Sequence, residues 1–186
     1  EVKTTVLQVA SFSLVADRTT NSTPNGQVRL AHTLTNTGNG TDSFTLNVAN
    51  VGGDDFQFAT IQIFRDANND GVPDNSTNLA LAGQTIQLAA GEATGLIIQT
   101  VTPSTATANQ TGQLTISATS VFDNTQTDDN TDTVTVKQVK VEVTKAASVN
   151  VVNPNDTVEY TLTYRNTGNN TGNGIDRCDC RNTRHP

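Results

Sequence analysis

The sequence predicts an all-β fold, an antiparallel sandwich of short strands, on three observations. Apolar and polar residues alternate with a period of two along nearly the whole chain, which places one face of each segment on a core and the other in water. The segments are divided by Asn, Gly and Pro turn signals. Hydrophobic residues make up 34% and charged residues 16% of the 186 residues, with 4% aromatics. Together with the abundance of Thr, Val and Asn, this suits half-buried pleated strands better than helices, and the charge is too low for a solvated disordered tail. No window carries an i, i+3, i+4, i+7 apolar stripe bounded by caps.

In chain order the expected strands cover residues 6–15, 28–35, 44–48, 58–64, 86–88, 96–101, 114–118 and 134–143. Turns between them are marked by Thr23-Pro24-Asn25-Gly26, Asn36-Thr37-Gly38-Asn39-Gly40, Gly52-Gly53, Ala90-Gly91 and Pro103-Ser104. Connections this brief imply antiparallel neighbours, and about eight such strands point to an immunoglobulin-like β-sandwich, with a jelly roll or small barrel as the structural rival.

The chain also repeats itself. Val28-Arg29-Leu30-Ala31-His32-Thr33-Leu34-Thr35-Asn36-Thr37-Gly38-Asn39 matches Val158-Glu159-Tyr160-Thr161-Leu162-Thr163-Tyr164-Arg165-Asn166-Thr167-Gly168-Asn169 at a spacing of 130 residues. At the same spacing Pro24 and Asn25 fall on Pro154 and Asn155, and Thr5, Val6, Gln8 and Val9 fall on Thr135, Val136, Gln138 and Val139. The reading is one full repeat in residues 1–137, a truncated second repeat in 138–172 and an anomalous tail in 173–186. Alternating Val134, Val136, Val139, Val141 and Val143 run through the boundary, so one long strand is expected to close the first unit and open the second, making a stiff join.

Two runs resemble a known family. Val143-Thr144-Lys145 with Val152-Asn153-Pro154-Asn155-Asp156-Thr157-Val158-Glu159-Tyr160 and the following Asn166-Thr167-Gly168-Asn169 resemble the bacterial and archaeal cell-surface repeat known as domain of unknown function eleven. There an Asn-Pro-Gly-Asp-Thr-Val turn precedes a Tyr-containing strand ending in Asn-Thr-Gly-Asn. Asn155 stands where Gly is usual, and Asn is the next-best residue for a positive φ. The first unit looks like a longer relative. The resemblance implies an extracellular immunoglobulin-like module with a structural or adhesive role and no catalytic activity. The chain departs from the pattern after Thr171, and its last residues, with Cys178, Cys180 and His185, read as a truncated or frameshifted end. The body otherwise uses no cysteine.

The sharpest chemical signal is Asp66-Ala67-Asn68-Asn69-Asp70-Gly71-Val72-Pro73-Asp74. Oxygen side chains at alternate positions followed by Gly let one short loop wrap hard ligands around Ca²⁺, with Asp66, Asn68, Asp70, the Val72 carbonyl and Asp74 as the ligand set. Thr77 occupies the place of the bidentate Glu of a helix–loop–helix sensor, so the site is expected to be structural and weak; a plain Asx-rich hairpin turn is the alternative. A second acidic group, Asp123, Asp128, Asp129 and Asp132, lacks that spacing and reads as a solvated loop.

Nothing assembles an enzyme. His32 lies within a strand and reads as a half-buried strand residue, and Asp54 and Asp55 beside Gly52-Gly53 read as turn residues. Cys178-x-Cys180 with His185 has too few ligands and the wrong spacing for structural zinc. Six sequons begin at Asn21, Asn39, Asn75, Asn109, Asn155 and Asn169, as expected by chance in an Asn/Thr-rich chain. Alternating Thr reads as a polar strand face. Lys3, Lys137, Lys140 and Lys145 are the nearest candidates for a Lys-to-Asn crosslink, and the spacing selects no partner for them.

Eleven Lys and Arg against 18 Asp and Glu leave a formal charge of −7, the wrong sign for a nucleic-acid surface. No apolar run is long enough for a membrane helix, so no membrane insertion is expected in this chain. The expected function is a non-enzymatic module of an extracellular or cell-surface stalk or fibre, stabilised by Ca²⁺, with neighbouring repeats or subunits of the same protein as partners. The alternatives are a filament subunit joined head to tail by strand exchange and an adhesin, the latter disfavoured by two Tyr and six Phe in the whole chain.

Overall fold

The computed structural model describes residues 2–151, 153–154 and 156–170, and every regular element in it is a strand. The chain divides into two units between Val136 and Lys137. In the first unit the strands are β1 (Phe12–Val15), β2 (Thr19–Ser22), β3 (Gln27–Asn36), β4 (Asp42–Asn50), β5 (Ile61–Asp66), β6 (Ile86–Leu88), β7 (Ala93–Val101), β8 (Thr111–Ser120) and β9 (Thr127–Val136). The second unit holds β10 (Val141–Ala147) and β11 (Tyr160–Asn166).

The first unit is two sheets, ordered β1-β3-β7-β5 and β2-β9-β8-β4-β6. They share one core. Leu14, Leu30, Leu34, Ile63, Leu96 and Ile98 of the first sheet meet Phe44, Leu88, Leu114, Ile116, Val134 and Val136 of the second, while Phe56, Phe58, Leu79 and Ala106 close it from the loops. Inward residues occupy every second position of β3 and β8, the period-two alternation that a half-buried strand requires. The free edge of β5 does not stand bare. The backbone N–H of Asp74 and Leu79 donates to Arg65 and Ile63 carbonyls, and the Ile63 N–H donates to Asn78 Oδ1, so the loop after β5 doubles back to cover it.

Two expectations about strands need correction. The segment read as one strand over 6–15 is regular only from Phe12, and after Val15 the chain passes to the other sheet as β2. Because it passes without reversing direction, β2 lies parallel to β9, so pairing is not antiparallel throughout. Nor does one strand run through the unit boundary: β9 ends at Val136, and β10 begins at Val141 in a separate two-stranded sheet.

The Asn-Thr-Gly turns of the two units share hydrogen bonds, but the strands that precede them pair one residue out of step with the 130-residue spacing. Phe12 pairs with Asn36 and Leu14 with Leu34, as Val141 pairs with Asn166 and Val143 with Tyr164. Counted back from the Asn-Thr-Gly turn, Val141 therefore takes the place of Phe12, one residue earlier than the 130-residue spacing demands. The Asn39 side chain accepts from Val9 N–H, whereas Asn169 accepts from Gln138 N–H, the same one-residue step. The 130-residue spacing that matches Val9 to Val139 is thus not the structural register before the turn. A one-residue slip exchanges the two faces of a strand.

The turn itself explains the motif. Asn36 is buried; its Nδ2 donates to Gly40 O at 2.9 Å and Leu88 O at 3.0 Å, and its Oδ1 accepts from Gly38 N–H. Asn166 repeats this with Asn170 O at 2.7 Å and Gly168 N–H at 2.9 Å. A Cβ on Gly38 would stand 2.6 Å from Val9 O, and one on Gly168 would overlap Gln138 O, so the preceding strand can run this close only past Gly. Asn25, in the preceding turn, has φ +59°, while its counterpart Asn155 lies outside the described residues. So does the tail with Cys178, Cys180 and His185.

Candidate functional site

The Asp66–Asp74 loop leaves β5 at its last residue. Asp66 is buried, and its two carboxylate oxygens accept from Asp70 N–H at 3.1 Å and Gly71 N–H at 3.0 Å. Gly71, at φ +80°, provides the turn that aims these amides inward. Asp70 Oδ1 accepts from Val72 N–H, Asn68 Oδ1 from Asp70 N–H, and Asp74 Oδ2 from Ala67 N–H, which closes the loop at its base. Arg29 reaches over from β3 to the Gly71 carbonyl at 3.1 Å.

The sequence-derived ligands Asp66, Asn68, Asp70 and Asp74 are therefore brought into one loop, with their oxygens turned toward backbone amides. Among the described residues no three His, Cys, Asp or Glu side chains converge as a metal-ligand group. The donor set is all oxygen and includes three carboxylates, the chemistry that a hard cation takes. Beside the loop, an open cleft of about 320 Å³ is lined by Arg65, Asn75, Thr77, Gln84 and Gln87 among others. Among the described residues its lining holds one charged group, Arg65.

The second acidic group is where sequence reasoning misjudged the chain. Residues Asp128, Asn130 and Asp132 are not a solvated loop but the inward-facing positions of β9. Asp132 and His32 are both buried, and Asp132 Oδ2 lies 2.8 Å from His32 Nε2. The other oxygen of Asp132 accepts from Arg18 N–H at 2.8 Å. Asp128 accepts from Leu14 N–H at 2.7 Å, Asn130 Nδ2 donates to Leu14 O at 2.7 Å, and Asp17 accepts from Thr131 N–H at 2.8 Å. These bonds pin the chain where it changes sheets between β1 and β2, so that backbone groups without ladder partners are satisfied by β9 side chains. His32 is thus a fully buried tie between the sheets rather than a half-buried strand residue. Among the described residues its Nδ1 has no hydrogen-bond partner.

Asp123 differs from its neighbours in sequence. It is half-buried in the turn before β9, and the Thr125 hydroxyl at 2.7 Å and the Thr125 N–H at 3.1 Å hold its carboxyl below the ordinary aspartate range. Asp54 and Asp55 do act as turn residues, accepting from Gln113 N–H at 2.6 Å and Thr111 N–H at 2.7 Å to fix the start of β8.

No family model matches the chain, and no curated protein matches it. Among solved structures, the chain is similar to a family 123 glycoside hydrolase from Clostridium perfringens at 12% identity and a TM-score of 0.48, over 69% of this chain and 27% of that one. It is similar to the CsuC–CsuE chaperone and tip-adhesion subunit complex of Acinetobacter baumannii at 10% identity and a TM-score of 0.41, over 84% of this chain and 73% of that one. The PapD-like domain 7 of human CEP192 matches at 9% identity and a TM-score of 0.39, over 73% of this chain and 94% of that domain. The chain spans about a quarter of the length of the hydrolase and, at 24%, of a secreted serine protease from Vibrio cholerae. Likeness at this level concerns β architecture and carries nothing about activity.

Proposed function

We propose that this chain is a non-enzymatic structural module of an extracellular or cell-surface stalk or fibre, built of immunoglobulin-like sandwich units in series and stabilised by Ca²⁺ at the Asp66–Asp74 loop. The observation that carries the reading is the repeated Asn turn. Asn36 and Asn166 share two side-chain bonds, Nδ2 to the carbonyl four residues on and Oδ1 from the N–H two residues on, and a tight Gly passes the preceding strand in both. Reuse of one supersecondary device in tandem is how arrays gain length without new chemistry.

Calcium would replace backbone amides as the partner of Asp66, Asn68, Asp70 and Asp74, with the Val72 carbonyl completing the set. A cation bound by the folded loop and not by the unfolded chain stabilises by mass action. The test is thermal unfolding of the whole chain in millimolar Ca²⁺ and in chelator. Calcium is expected to raise the midpoint, and Asp70→Ala to abolish the increment while leaving the chelated midpoint near that of the parent. Equal midpoints with and without Ca²⁺ would end the calcium proposal.

A further inference from the structure

We propose that the cleft beside the acidic loop binds a hexuronic acid, with its carboxylate on Arg65 and its hydroxyl groups on the surrounding carboxamides. Side chains alternate along β5, so Ile61, Ile63 and Arg65 point to one face, and Ile63 lies in the core. Arg65 thus stands in the inward row of the sandwich, at the end of its strand and opposite the buried Leu96. It is half-buried there. Its Nε donates to the hydroxyl of buried Thr94 at 3.2 Å, and that hydroxyl donates on to the Gly95 carbonyl. The guanidinium is therefore oriented before any ligand arrives.

A cation set into an inward row normally has its counter-ion in the protein. Arg65 does not. Asp66 lies on the other face with its oxygens on the Asp70 and Gly71 amides, and Asp74 Oδ2 takes the Ala67 amide. Among the described residues the one ion pair joins His32 to Asp132, and the two Nη groups of Arg65 have no partner. With Nε committed to Thr94, those two groups form the free end of a fork that matches a carboxylate.

The rest of the lining selects the ligand. Arg65 comes from the first sheet, while Ile86 and Gln87 come from β6 of the second, so the cleft opens between the sheets. Asn75 Oδ1 accepts from Thr77 N–H, which leaves Asn75 Nδ2 and the side chains of Gln84 and Gln87 without partners among the described residues. A carboxamide donates and accepts at once, the complement of a sugar hydroxyl. A volume of about 320 Å³ suits a small ligand. One Arg balances one carboxylate, whereas a phosphate dianion would keep excess charge beside a chain of net charge −7. The site shares no residue with the Asp66, Asn68, Asp70, Val72 and Asp74 set, so it is independent of calcium.

The test is an NMR titration of the isotope-labelled whole chain with methyl glucuronoside, followed at the Arg65 Nε–H and the side-chain amides of Asn75, Gln84 and Gln87. Saturable shifts at these groups are expected. Methyl glucoside, which lacks the charge, and acetate, which lacks the hydroxyls, should each bind about tenfold more weakly or worse. Arg65→Gln should weaken the glucuronoside about tenfold or more, and Arg65→Lys, which keeps the charge without the fork, about threefold or more. Gln87→Ala, at an exposed position on which folding does not depend, should weaken it about threefold. Backbone signals of β3 and β8 must keep their positions in each variant. Absence of saturable shifts would overturn the proposal. So would acetate or methyl glucoside binding as well as the glucuronoside, or a tri-aspartate peptide binding more tightly, since the cleft would then read something other than an acidic sugar.

Discussion

At the scale of single residues, stability in the first unit hangs on buried polar groups whose partners are few and fixed. Asp132 serves the His32 ring and the Arg18 amide at once. Removing Asp132 leaves the His32 ring nitrogen and the Arg18 amide without their hydrogen-bond partner, which typically costs about 1–3 kcal/mol for a buried group. Asp132→Ala is expected to lose stability in that range by urea unfolding, and the double change His32→Leu, Asp132→Leu less than the sum of the singles. A loss under about 1 kcal/mol for Asp132→Ala would show that the tie carries no load. Asp123 gives a pH-linked counterpart. Its folded-state carboxyl is held below its unfolded value of about 3.9 by the Thr125 hydroxyl and amide, so the turn is favoured above that pH and loses this contribution as pH falls through the lower, folded-state value. In an NMR titration Thr125→Val is expected to raise the Asp123 pKa toward the ordinary value.

At the scale of elements, the N-terminal segment belongs to both sheets. Leu14 is in the core, β1 pairs with β3, and β2 with β9. Deletion through residue 12 removes one β1 residue and the bonds from Leu7, Gln8 and Val9 to the Asn36–Thr41 turn. Deletion through residue 18 also removes Leu14 and strands Asp128, Asn130 and Asp132 without their backbone partners. The first deletion is expected to leave a cooperative unfolding transition. The second should lower its midpoint far more, by several kcal/mol as for a lost buried Leu plus unsatisfied polar groups. Comparable midpoints for the two deletions would contradict this placement of the segment. β9 also shows why the strand pattern was only partly legible. Its C-terminal half advertises itself through Val134 and Val136, but its N-terminal half turns Asn130 and Asp132 inward. An apolar–polar rule reads inward polar residues as loop, because it assumes that the core is apolar. Here those positions face backbone groups that need partners. By contrast β3, β4, β7 and β8 are framed correctly and only longer at their ends, since the inward residues of their central stretches are mostly apolar and the buried polar ones, apart from His32, lie toward their ends.

At the scale of the whole molecule, burial differs sharply between the two units. Every residue of β10 and β11 is exposed, while the first unit has a continuous core. Hydrogen exchange is therefore expected to be slow in β8 and central β3 and much faster in β10 and β11, because local opening there uncovers little apolar surface. Exchange in β11 as slow as in β3 would require a covering layer in solution.

What the sequence by itself determined is the strand chemistry, the turn positions, the tandem Asn-Thr-Gly motif and the acidic loop after β5, since each is written in contiguous residues. Only the tertiary structure decided that the first segment is shared between two sheets, with β2 parallel to β9. It also decided that His32 and Asp132, a hundred residues apart, meet in the core, and that the repeat slips by one residue before its turn. Each of these depends on which backbone groups lack partners once the sheets are packed. That is a property of the assembled layers, and no local run of residues carries it.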